Sequence, residues 1–232
     1  MVLRVEAITA RERLMVAAER LIAERGYLVP LREIAAAAGQ RNNSAIPYHF
    51  GSRDGLVEAV VQQRLAALEV RRLELLAQRP DGLVDEVHGL LEALVFPMFE
   101  LSASNETCCY ARFLEQIRNH PAVSDVTNLD SAERTSVRVI VNGLDRALHD
   151  LEPRLRHRRL RSLTTVLSAL VADHERAVEA GRLAADDRDA WAEVVDMLAG
   201  TLTAPVTGRS GNADGDRSTA AARGPQDSAD LA

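Results

Sequence analysis

Apolar positions recur at three- and four-residue intervals through almost the whole chain, and alternating β-branched runs are scarce. With Ala, Leu, Arg and Glu dominant, that pattern predicts an all-α protein. Leu14, Ala17, Ala18, Leu21 and Ile22 form a first stripe that closes at Gly26. A short second helix is predicted over 31–38, with Pro30 near its start and Ile34, Ala35 and Ala38 facing inward. Gly39 then opens a polar turn, and a third brief helix spans 44–49. Ser52 is a natural N-cap for a long helix that starts at Arg53. Its apolar positions Leu56, Val60, Leu65, Leu68, Leu73 and Leu76 carry it to Gln78, before Pro80 stops it. Further helices are predicted over 82–102, 106–119, 122–150, 155–181 and 186–203, the first kinked at Pro97. From Pro205 onward almost no apolar residue remains, too few to offset the entropy of ordering, which predicts a disordered tail. The expected organisation is a three-helix head at 1–52, a helical body at 53–204 and the tail at 205–232.

Charge divides along the same boundary. Residues 1–64 hold nine Arg and seven acids, a net of +2, while 65–232 carry −8. A mildly basic head on an acidic body suits a protein that meets a polyanion with one end. All 28 basic residues are Arg, so every cation is a rigid fork matched to phosphate or carboxylate. Apolar runs are broken by charge before they reach the length of a membrane span, and the N-terminus lacks a secretory apolar core; a cytoplasmic protein is expected. The adjacent Cys108 and Cys109 are read as buried thiols rather than a disulfide.

An Ala-rich second helix, a Gly turn and a polar third helix fit either an ordinary helical hairpin or a helix-turn-helix. In the latter, small residues at 35–38 let two helices cross closely while Gly39 takes a positive φ. The residues themselves resemble a family. Ala17-Ala18, Arg25-Gly26-Tyr27, Ile34-Ala35, Ala38-Gly39, Tyr48-His49-Phe50 and Gly51-Ser52-Arg53, in that order, are similar to the N-terminal domain of TetR-type transcriptional regulators. The run from Asp196 to Pro205 resembles the closing helix of some members. The resemblance implies a homodimer whose heads bind a palindromic double-stranded DNA operator, and whose body binds a small molecule that releases it.

Two departures bear on the head. The turn from Gln40 to Ser44 is one residue longer than the family's, and Pro47 stands where many members carry an aromatic. The third helix is therefore expected to be short or to start late. Arg41, Asn42, Asn43 and Ser44 are placed at the groove, where Arg suits guanine and Asn suits adenine, although all four could hold phosphates. The two asparagines could equally be turn formers. Tyr48 and His49 resemble the positions that clamp the DNA backbone, Arg53 resembles the basic residue that reaches phosphate, and Phe50 is read as core.

The body shows no Gly-rich phosphate loop, HExxH, GxSxG or Cys-x-x-Cys, so neither catalysis, metal nor cofactor is expected. Among six histidines, His88 and His174 lie on apolar faces and are candidates for a pocket or interface hydrogen bond. The basic run Arg154, Arg156, Arg158, Arg159 and Arg161 is read as a solvated face or a partner for the acidic body. Aromatic and apolar side chains concentrate at Leu91, Phe96, Met98, Phe99, Cys109, Tyr110, Phe113 and Ile117, a region that is either an effector pocket or plain core. The last two helices carry the stripes Leu163, Leu167, Leu170, His174 and Trp191, Val195, Leu198, Leu202, expected to pair with a second copy in a four-helix bundle. The function expected is a repressor released by a small apolar or amphipathic effector. The alternative is a helical partner-binding or small-molecule-binding protein whose head no longer binds DNA.

Overall fold

The computed structural model describes residues 8–42, 44–78, 87–104, 109–124 and 134–206. Asn43, Cys108 and the tail beyond Val206, all named above, lie outside them. Ten helices are found among the described residues, and their core is continuous from head to body.

Three helices build the head: α1 (Ala10–Arg25), α2 (Leu31–Ala37) and α3 (Ala45–Phe50). Thr9 caps α1 through a reciprocal box with Glu12, satisfying two of the N–H groups that a helix start leaves open. The predicted stripe is buried: Leu14, Ala18 and Ile22 are inaccessible and meet Ile34, Ala35, Ile46 and Leu56. Gly26 and Gly39, with φ of +90° and +70°, turn the chain out of α1 and α2. Pro47 is the third residue of α3, within the first turn where its missing N–H costs no helical bond, and α3 is short as expected.

The long α4 (Arg53–Ala77) starts in the head and runs into the body, with Ser52 Oγ accepting from Gly55 N at 3.0 Å. A Cβ at Gly55 would sit 2.1 Å from the carbonyl oxygen of Phe50, so only glycine lets α3 end against the start of α4. Farther along α4 the apolar stripe fails. Leu73 is 41% exposed, while Glu69 and Arg72 occupy core positions. Two polar residues thus take buried places on the helix while Leu73 of the expected stripe is partly exposed.

The body adds α5 (Val87–Ser104), α6 (Tyr110–Gln116), α7 (Pro121–Ser124), α8 (Thr135–Ala147), α9 (Pro153–Glu179) and α10 (Arg188–Thr203). α5 continues through Pro97. The helix predicted over 122–150 is instead two, α7 and α8, and α6 is far shorter than 106–119. α6 packs between α9 and α1, while α5 packs on α10, α8 and α4. The inner helices α6 and α8 begin at Cys109 and Arg134, neither of which supplies a side-chain cap. Buried carboxylates from other helices do so. Glu69 of α4 accepts from Ser136 N at 2.8 Å and Ser136 Oγ at 2.5 Å. At α6, Cys109 N donates to Glu19 of α1 at 3.3 Å, and Ala111 N and Arg112 N each donate to Glu175 of α9 at 3.0 Å.

Candidate nucleic-acid interface and the head–body junction

The surface carrying the candidate DNA contacts is built on α2, the residues from Ala38 to Asn42, Ser44 and α3. Arg41 is exposed, with neither an ion pair nor a hydrogen bond among the described residues. Asn42 Oδ1 accepts from Ser44 N at 2.9 Å, closing the turn that launches α3. Of the two roles open to Asn42, this geometry takes the turn former: with its oxygen bound to the backbone, the amide cannot grip adenine through both atoms unless that bond opens. Ser44 is exposed and Ile46 behind it is fully buried, so α3 is pinned by one apolar anchor with its polar side outward.

Tyr48 is 84% exposed and packs edge-on against His49, with ring centroids 4.9 Å apart. A large aromatic held this far into solvent has no packing reason to be there, which sets it apart from Phe50, half-buried beneath Arg11 at 5.1 Å. Arg32 in the first turn of α2 is a second exposed cation without a partner among the described residues. Sequence reading passed it over, although its place beside Pro30 at a helix start was a usable sign.

Arg53 is placed differently from expectation. Its Nη1 donates to the carbonyls of Tyr27 and Val29 at 2.7 and 2.8 Å, and its guanidinium lies over the Tyr27 ring at 5.5 Å. The side chain ties α4 to the loop after α1, so that nitrogen is not available to a phosphate. Tyr27 OH in turn donates to Asp54 Oδ1. That bond, and then the neighbouring His120, hold the Asp54 carboxyl below its ordinary range, and the same bond raises the Tyr27 phenol.

The body shows where the remaining candidate residues lie. The side chains named for an effector pocket are mostly buried, Phe96 is half-buried, and Ile117 also lines a cavity described below. Leu91, Phe99 and Phe113 are inaccessible, and Cys109, Tyr110 and Ile117 are at most 4% exposed. Phe99 stacks on Trp191 at 5.2 Å, Phe96 lies 5.9 Å from the same ring, and His174 meets Phe99 edge-on at 4.6 Å. Burial lowers the pKa of His174, as an apolar site disfavours the imidazolium. The residues named for a dimer seam are likewise used within the protomer: Leu163, Leu167, His174, Trp191, Val195, Leu198 and Leu202 are all buried and Leu170 is half-buried. An apolar stripe fixes which side of a helix is covered but not by what. The outer face that α9 and α10 leave open carries Arg158, Arg161, Thr165 and Ala169, then Asp196, Met197 and Gly200. His88 lies on the surface, 3.2 Å from Asp196. In the basic run, Arg156 pairs with Asp145 at 2.7 Å and Arg159 binds the carbonyls of Leu202 and Ala204, closing the end of α10.

A cavity of about 360 Å³ opens elsewhere, where the head meets the body, between Tyr27 and the start of α4 on one side and the α6–α7 corner on the other. Among the described residues no cluster of three metal-binding side chains is present, and no helix is long and apolar enough to cross a membrane.

These features define an all-helical protein with a helix-turn-helix head joined to a larger helical body. Residues 14–60, which span most of the head and the start of α4, match the model of the family described as bacterial regulatory proteins, tetR family. The whole fold is similar to the fatty acid degradation regulator FadR from Bacillus halodurans, at 19% identity over 85% of this chain and 96% of that one, with a TM-score of 0.50. A second similar structure is NalD, the secondary repressor of the MexAB-OprM multidrug efflux pump in Pseudomonas aeruginosa, at 20% identity over 83% and 95% of the two chains, TM-score 0.44. No curated protein sequence matches the chain.

Proposed function

We propose that the chain is a transcriptional repressor that binds a palindromic double-stranded DNA operator as a homodimer and is released by a small effector. The observation that carries this reading is the pairing of a buried anchor, Ile46, with an outward α3 surface where Tyr48 projects into solvent, after a turn that leaves Arg41 exposed. Arg41 and Arg32 supply charge to the phosphates, Ser44 and Tyr48 contact groove and backbone, and His49 supports Tyr48 from its ring face. Asn43, next to Asn42 in the sequence, is proposed to share in these contacts. A second copy docks on the outer face of α9 and α10, where Arg158 and Arg161 of one protomer can meet Asp196 of the other across a two-fold axis. Two heads joined this way read half-sites one helical turn apart, about 34–36 Å.

The test is selection of bound sequences from random duplex DNA, followed by fluorescence anisotropy on the selected site. A palindromic consensus bound by two copies is expected. Arg41→Ala should weaken binding about tenfold, and a flatter salt dependence would mark it as a phosphate contact. Absence of any selected sequence, with no binding at low salt, would overturn the reading.

A further inference from the structure

The cavity at the head–body junction has a chemistry that the reading above does not use. Asp54 and Glu58, one helical turn apart on α4, both face it. Glu58 is exposed and has no ion-pair partner among the described residues. Asp54 Oδ1 accepts from the Tyr27 hydroxyl, and the carboxylate lines the space. Among the described residues no arginine lines the space, and Arg53, beside Asp54 in the chain, is tied to two backbone carbonyls. From the body come the amides of Gln116 and Asn119, the former lying against Gly26, where an added Cβ would come within 3.5 Å of its oxygen. The walls are otherwise apolar: the Tyr27 ring, Ile117 and Pro121.

His120 is the most informative group. Its side chain is only 8% exposed. Its Nδ1 accepts from Ala122 N at 3.2 Å, which assigns the ring proton to Nε2. Nε2 is buried with no hydrogen-bond partner, 3.4 Å from Asp54 Oδ1 and short of a bond to it. A buried donor held close to the Asp54 carboxylate without a hydrogen bond to it costs free energy that an incoming polar group can recover.

We propose that this cavity binds a small organic ammonium ion that also carries a hydroxyl or carbonyl oxygen. The ammonium sits between Asp54 and Glu58, the oxygen accepts from His120 Nε2, and the hydrocarbon lies along Tyr27, Ile117 and Pro121. The two carboxylates exclude an anion, and a volume near the lower end of ligand pockets excludes a large drug. Occupancy would bridge α4 of the head to the α6–α7 corner of the body and so bias the angle between them. Only that consequence rests on the proposed repressor function; the binding itself does not.

The experiment titrates full-length, DNA-free protein with 2-amino-1-phenylethanol as its ammonium ion, following heat and the ring resonances of His120. Binding with a Kd of about 1 mM is expected for a probe of this size. The uncharged analogue 1-phenyl-1,2-ethanediol should bind at least about tenfold more weakly, and so should the cation to Glu58→Gln. Phenethylammonium, which lacks the hydroxyl, should bind a few-fold more weakly and leave the His120 signals less shifted. Equal binding of the neutral diol, unchanged binding to Glu58→Gln, or no saturable binding overturns the proposal. Operator binding is measured separately by anisotropy. A protein that binds the cation but no DNA would sink the repressor reading and keep this site; the converse would sink the site alone.

Discussion

In the head, helices are started by their own neighbours: Thr9 caps α1, Asn42 closes the turn before α3, and Ser52 caps α4, each from within three residues. The inner helices of the body are started by strangers. Glu69 reaches Ser136 across 67 residues, and Glu175 and Glu19 reach the first turn of α6 across 63 to 90. A local cap is solvated in the unfolded chain and gains little on folding, whereas a buried carboxylate is costly to strand and orders two helices at once. The head can therefore form from nearby signals, while the body is held by a few charged residues that lie deep in its core.

The sharpest way to break this contrast is Glu69→Ala. It orphans Ser136 N and Oγ and leaves the buried Arg72, whose pKa burial has already lowered to about 10, without its neighbouring acid. A loss of about 3–5 kcal/mol is expected in urea unfolding. Next comes Glu175. Burial pushes its carboxyl up to about 7 from an ordinary 4.5, against the pull of the Ala111 and Arg112 amides. The folded protein thus holds a proton there that the unfolded chain releases, so between about pH 5 and 7 this group's contribution falls as pH rises. Glu175→Gln should flatten that slope, by up to about 3 kcal/mol across the window, in unfolding curves taken at several pH values. The smallest effect belongs to the head: Ser52→Ala should cost about 1 kcal/mol and leave the pH dependence unchanged. A Ser52→Ala loss as large as that of Glu69→Ala would erase the distinction.

The same contrast explains what could be read along the chain. Thr9 was not singled out, but Gly26, Gly39 and Ser52 mark the head's boundaries because their effects act within a turn. Arg72 and Glu69 were invisible for the opposite reason. They are polar at positions whose burial is decided by α5 and α8, and a hydropathy stripe assigns such residues to solvent. The stripes of α9 and α10 were legible as buried faces; Trp191 and Leu198 are buried on α10, which packs on α5 and α9. Phe99 and Phe113 are buried, and aromatic density alone marks a core as readily as a pocket. The junction cavity draws on Tyr27, Asp54 and His120, too far apart in the chain for spacing to unite them.

The borrowed caps on α6 also bear on the order of assembly. Its opening amides stay unmatched until α1 and α9, from opposite ends of the chain, have both docked, so closing that turn requires loops of more than sixty residues. Nucleation would start elsewhere, with α6 among the last segments to lock and among the first to exchange its amide protons.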